Sequence, residues 1–324
     1  MEDDLDLRKQ RYSEDMLMRG YISINNVYRV YNVKNLNNIM HFSEIESISF
    51  AESFFVQRWT DFERDIKQFK KLRSLNLGNI RSWLMNSSEF LRVVCGIPYL
   101  THLKLMYNYT DSIDDLVNLK NLTHLTLGRN GTNDISILAS MTRLTYLKLG
   151  DYFGGSIKPL RDLALKTLII GNNFHDTFEF LGFHTNTPVS KSIELADRSN
   201  HRSNQRFSFV FSGLGATRIS HDDTPPIQQF GLLYRTLEHL EIGEGFRGSI
   251  ESLQGMPELR TLILGSDYMG HVDVLKTLPK LQHLELGIMH TSMDVKDFPQ
   301  KFTTLLYGYT RDAENPMWNT VDNV

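Results

Sequence analysis

The chain holds one cysteine, Cys95, among 324 residues, so no disulfide can form within it. It has no apolar run near the roughly 20 residues that cross a bilayer. Charge of one sign is also lacking: 35 Lys and Arg stand against 38 Asp and Glu, with a formal net charge of −3. That balance gives no electrostatic reason to expect nucleic acid or an anionic membrane as partner. A phosphate-binding glycine loop, a His-Glu-x-x-His pair and a Gly-x-Ser-x-Gly elbow are all missing. The opening residues, MEDDLDLRKQR, run acidic and then basic without an apolar stretch. No secretory signal is expected from them, and the expected setting is intracellular, in the cytoplasm. The glycosylation sequons at Asn86, Asn108, Asn121 and Asn130 then read as accidents of an Asn- and Thr-rich pattern.

What the chain does have is repetition. From Leu100 it reads LTHLKLMYNYTDSIDDLVNLKN, LTHLTLGRNGTNDISILASMTR, LTYLKLGDYFGGSIKPLRDLA and LKTLIIGNNFHDTFEFL. Copies opening LxxLxL, with Ile as the last residue at Ile170 and Ile242, start at Leu100, Leu122, Leu144 and Leu165, and again at Leu237, Leu259 and Leu281. Longer copies precede them from Ile45 and Leu72, with Trp59, Trp83 and Cys95 in arms expected to carry full helices. Phe302 opens a last copy. Between Leu181 and Leu237 the pattern blurs. Degraded rungs are expected at 190–195 and 216–221, with Phe207 to Phe211 as an alternative strand. The count is ten to twelve rungs over 45–310, irregular at 182–236.

Residues 1–44 lack the repeat. Apolar residues from Met16 to Met40 stand at mixed helical spacing, so one or two helices capping the first rung are expected. The polar tail, 311–324, reads as a frayed end or a strap.

In LxxLxL the second and third leucines alternate with exposed positions, as in a short strand. About 22 residues cannot bury an apolar side alone, so each unit must lean on the next. Phe54, Tyr109, Phe153, Phe174, Phe246 and Tyr268 recur nine residues after the first Leu and predict an internal aromatic column. Asn108, Asn130 and Asn173 predict a partial ladder of inward amides. The Gly after the strand predicts either a special backbone angle or an approach too close for a Cβ.

These motifs resemble leucine-rich repeats. NDISILASMTRL is similar to the short 22-residue class of internalins and of a phosphatase-regulatory subunit. LTYLKLGDYFGGSI and LEHLEIGEGFRGSI are similar to the FNIP variety of social amoebae and giant viruses, without its Asn after the Phe or its Pro before the Ile. The resemblance implies an α/β repeat fold: a curved solenoid with a parallel β-sheet on its concave face and helices, 3-10 turns or loops on its convex face.

It also implies that the outward strand positions form the binding surface. Those are His102, Lys104, His124, Tyr146 and Lys148 in one half, and His239, Glu241, His283 and Glu285 in the other. Arg129 and Glu244 follow the strands. The first half is basic and the second acidic, predicting a protein partner docked lengthwise with complementary charge. His102 and His124 on adjacent rungs make a poor zinc site without a third ligand, and a solvent-facing stack is expected instead. Three arginines around His201 read as a polar loop. Clustered acids at Asp111, Asp114 and Asp115 follow no calcium-loop pattern. The expectation is a non-catalytic scaffold for protein–protein interaction, without cofactor or metal. Alternatives are an F-box-like substrate adaptor recruiting through residues 1–44, and a component of a larger assembly such as a virus particle.

Overall fold

The computed structural model describes residues 11–19, 27–78, 87–128, 134–176, 178, 181, 208–212, 215–219, 230–287, 298, 302–309 and 319–320. In chain order these hold β1 (Arg11–Ser13), helix α1 (Glu14–Met18), β2 (Arg29–Val33), β3 (Ser47–Phe50), α2 (Trp59–Ile66), β4 (Ser74–Asn76) and α3 (Ser87–Cys95). Then come β5 (His102–Lys104), β6 (His124–Thr126), β7 (Tyr146–Lys148), β8 (Thr167–Ile170), β9 (Ser208–Ser212), β10 (Gly215–Ile219) and α4 (Leu232–Thr236). The last are β11 (His239–Ile242), β12 (Thr261–Leu264), β13 (His283–Gly287), β14 (Thr304–Tyr309) and β15 (Asn319–Thr320).

Among the described residues, β1 to β8 and β11 to β14 form one sheet of parallel strands in that order. This is a leucine-rich-repeat solenoid. The register follows the repeat: Ser74 opposes His102, His102 opposes His124, and His124 opposes Tyr146. Leu100, Leu103 and Leu105 of one copy are at most 1% exposed, as are their equivalents Leu144, Leu147 and Leu149. Alternation puts one side of each strand in the core and leaves the other facing out.

The return arm depends on repeat length. The long copies have room for α2 and α3, which bury Trp59, Phe62, Phe90 and Val94, with Trp59 and Phe90 rings 5.1 Å apart. Copies of 22 residues close instead with single 3-10 turns, such as Asp114–Asn118, Ser136–Ser140 and Asp273–Thr277. Four of the six predicted rings form the aromatic column, while Phe54 packs against Phe50 and Phe62 and Tyr109 against Phe90. Phe153 and Phe174 stack at 6.4 Å, while Phe174 and Phe246, then Phe246 and Tyr268, stack at 5.9 Å. Strands in a sheet lie about 4.8 Å apart. The rungs therefore fan open away from the sheet, which puts the sheet on the concave side.

The residues before Ile45 depart from expectation. Instead of a helical cap, β2 pairs in parallel with β3, Arg29 opposing Ser47, and β1 pairs with β2, Arg11 opposing Arg29. Two further strands thus precede the first rung read from the sequence. The three-residue spacing of Val27, Val30 and Val33 looked helical, but it is a strand with a bulge between Val30 and Val33. Asn32 takes the left-handed angle there (φ 55), which Asn tolerates better than most residues. β-Branched valines favour that outcome. The buried Glu14 ties the first strand down: its carboxylate accepts from the Lys34 amide, the Asn35 amide (3.1 Å) and the Asn38 side-chain amide (2.6 Å).

The centre departs as well. β8 pairs directly with β11, Thr167 opposing His239 and Ile169 opposing Glu241, so no rung stands between these two strands in the sheet. The segment expected as a rung at 216–221 contributes β10 to an antiparallel hairpin with β9, where the alternative strand lay. The candidate at 190–195 lies outside the described residues. At the far end the tail returns as β15, antiparallel to β14, a strap over the last strand.

The asparagine ladder is overturned. Asn108 and Asn173 are exposed, because the neighbouring ring fills the turn and backbone amides satisfy its carbonyls. Tyr109 N–H donates to Met106 (3.1 Å), and Asn173 N–H to Asp151 (2.8 Å). Asn130 lies outside the described residues. The strand-end glycine serves close approach: a Cβ at Gly128 would lie 2.1 Å from the Met106 carbonyl oxygen of the preceding rung. Gly128→Ala should therefore push two rungs apart and cost about 1–3 kcal/mol in urea unfolding. Unchanged stability would show that the rungs are not held at this separation.

Candidate functional site

The outward positions of consecutive strands line up in columns. The first runs Ser47, Ser74, His102, His124, Tyr146, Thr167, His239, Thr261, His283, Thr304. Beside it run Asn76, Lys104, Thr126, Lys148, Ile169, Glu241, Ile263, Glu285 and Leu306. All the expected strand residues share this face. Of the two after the strands, Glu244 is half-buried, its backbone N–H donating to Asn172 Oδ1 at 3.2 Å, and Arg129 lies outside the described residues.

His102 and His124 stack with ring centroids 4.1 Å apart and planes 11° from parallel, and Tyr146 continues the stack at 5.5 Å. The stack is not solvent-facing as expected: His102 is 2% and His124 6% exposed, and Thr126 beside them is buried too. What draws the rings in is a threonine ladder one position earlier. Thr123 Oγ1 donates to the Thr101 carbonyl (3.1 Å), as Thr101 does to Arg73 (3.2 Å) and Thr145 to Thr123 (3.3 Å). Each hydroxyl also meets the ring that follows it: Thr101 Oγ1 lies 2.8 Å from His102 Nδ1, and Thr123 Oγ1 2.9 Å from His124 Nδ1. The pair is a floor of the site. The signal for it was Thr-His in both copies, which pattern reading passed over.

The other half is built from charge. His283 Nε2 lies 2.7 Å from Glu285 Oε1, and His239 Nε2 3.9 Å from Glu241 Oε2. Each ring and carboxylate stand two residues apart on one strand, so alternation puts both on the same face. Tyr146 lies near enough to feel it: burial first, and the Glu241 carboxylate second, push its hydroxyl pKa up. Lys104 and Lys148 remain half-exposed on the basic side. Lys104 leans over Gly78, where an added Cβ would sit 2.5 Å from its Cε.

No group of three or more His, Cys, Asp and Glu is placed to hold a metal among the described residues. His201 and its arginines lie outside them. No helix there is long and apolar enough to cross a membrane. Cys95, at the end of α3, is half-buried, and burial first, with Asp115 second, raises its thiol pKa to about 12. A raised pKa keeps the sulfur protonated until the medium nears pH 12, so it is a poor nucleophile at neutral pH. Native protein at pH 8 should alkylate at Cys95 at least about a hundredfold more slowly than urea-unfolded protein. Equal rates would mean that the thiol is exposed.

A scan of protein-family models and a search of curated proteins returned no match. Among solved structures, the chain is similar to internalin C2 of Listeria monocytogenes: 17% identity, 67% of this chain and 72% of that one, TM-score 0.41. A second internalin of Listeria monocytogenes matches at 19% identity over 80% of this chain and 67% of its own, TM-score 0.44. A leucine-rich-repeat protein of Leptospira interrogans matches at 18% identity over 81% and 79%, TM-score 0.36.

Proposed function

We propose that the chain is a non-catalytic scaffold that binds a protein partner lengthwise along the concave face of its sheet. One observation carries the reading. Lys104 and Lys148 share a column with Glu241 and Glu285, basic residues at one end and acidic at the other. A face so divided favours one alignment of a partner with opposite polarity and repels the reverse. His102, His124 and Tyr146 supply a flat floor between the lysines, and His239 and His283 flank the carboxylates. Glu244 belongs to the rim after the strands. An open face of this kind excludes no water from a reacting group, which argues against catalysis. The adaptor alternative would recruit through residues 1–44, where the described residues include β1, α1 and β2.

Glu241→Lys combined with Glu285→Lys should weaken capture of the native partner about tenfold at low salt. The loss should shrink as salt is added, since screening removes the repulsion. Matching thermal unfolding of variant and parent would exclude a folding defect. Unchanged capture would contradict the reading.

A further inference from the structure

The two concave columns carry a second period, twice that of the repeat. From β7 onward, rungs with a ring and a charge alternate with rungs bearing threonine and an aliphatic side chain. Tyr146 and Lys148 are followed by Thr167 and Ile169, then His239 and Glu241, then Thr261 and Ile263. His283 and Glu285 come next, then Thr304 and Leu306. Backwards, Lys104 stands two rungs before Lys148, with Thr126 between. Charges therefore recur on alternate rungs in the order plus, plus, minus, minus. The direct pairing of β8 with β11 is what keeps the alternation in phase across the long connection.

This spacing selects the conformation of what binds. Two rungs of a parallel sheet span about 9.4–9.8 Å. A polyproline-II segment presents one side every third residue, about 9.3 Å along its axis. An α-helix returns to one side after seven residues, about 10.5 Å. A β-strand presents one face about every 6.7 Å and cannot keep step. From Lys104 to Glu285 is six rungs, about 29 Å. Nine polyproline-II residues cover about 28 Å, whereas three helical heptads overrun to about 31 Å. Resting on the concave-face reading above, we propose that this face receives an extended polyproline-II segment of about ten residues. Two acidic side chains three residues apart meet Lys104 and Lys148, and two basic side chains at the same interval meet Glu241 and Glu285. Thr126, Ile169 and Ile263 lie beneath the residues between. His283, in contact with Glu285, fixes one carboxylate toward the face.

The test measures binding of labelled synthetic peptides to the full chain by fluorescence anisotropy. The probe is a proline-rich peptide of about thirteen residues, with two Glu and then two Lys at three-residue intervals. Because an extended segment can lie in either direction, the reversed order is tested beside it. Controls have the same composition with the four charges clustered, and an alanine-rich helical peptide with them seven residues apart. One of the two three-spaced orders should bind at least about tenfold tighter than every control. Glu241→Lys with Glu285→Lys should abolish that preference. Equal binding of spaced and clustered peptides, preference for the helical one, or a preference indifferent to the double substitution would overturn the proposal. The underlying reading fails separately, by unchanged capture of the native partner. If capture depends on both glutamates while the peptides are indifferent to spacing, only the extended occupant is wrong.

Discussion

Each rung owes its stability to its neighbours, through parallel backbone hydrogen bonding and side chains stacked on their own equivalents. A unit of 22 residues has one short strand, one turn and a few leucines, which is too little to offset the entropy of ordering it alone. Stacked, the same leucines become continuous, and the phenylalanines and tyrosines behind them become a column. Close approach is the condition for this. Where the chain leaves the strand, the carbonyl of one rung lies where a Cβ of the next would stand, and glycine fills the position. The ends are secured by different means: Glu14 binds three N–H groups near the first strands, and β15 pairs antiparallel along β14.

The same constraint builds the surface. Register that puts leucine on leucine also puts His102 on His124 and Lys148 beside Ile169. Concave side chains are thus displayed at fixed intervals by residues that never touch a partner. Threonine hydroxyls meet two buried, stacked histidine rings, and histidines approach two carboxylates, so the face is organised before anything binds.

Much of this was legible in the sequence because the repeat is its own ruler. The core columns, the aromatic spine, the helices in the long copies and the polarity of the face all follow from spacing counted along the chain. What was missed has physical causes. The first strands step by only 18 residues, Arg11 to Arg29 to Ser47, and a bulge turned strand alternation into a helical-looking interval of three. The asparagines lost the interior to the ring beside them. The histidine stack was foreseen but not its burial, because the Thr-His hydroxyl contacts are invisible to hydrophobic pattern. Above all, degraded copies between Leu181 and Leu237 read as weak rungs, when β8 meets β11 and the strands between them pair with each other.

That junction decides how far the two lysines of the face stand from its two glutamates. A distance between spin labels at Lys148 and Glu285, placed by cysteine substitution in a Cys95→Ser background, tests it directly. With β8 against β11 the two positions are four rungs apart, and their backbones should lie about 19 Å from each other. Two further rungs in the stack would lengthen that to about 29 Å. A distribution centred near the longer distance would contradict the account, and with it the alternation of charge on which the proposed occupant depends.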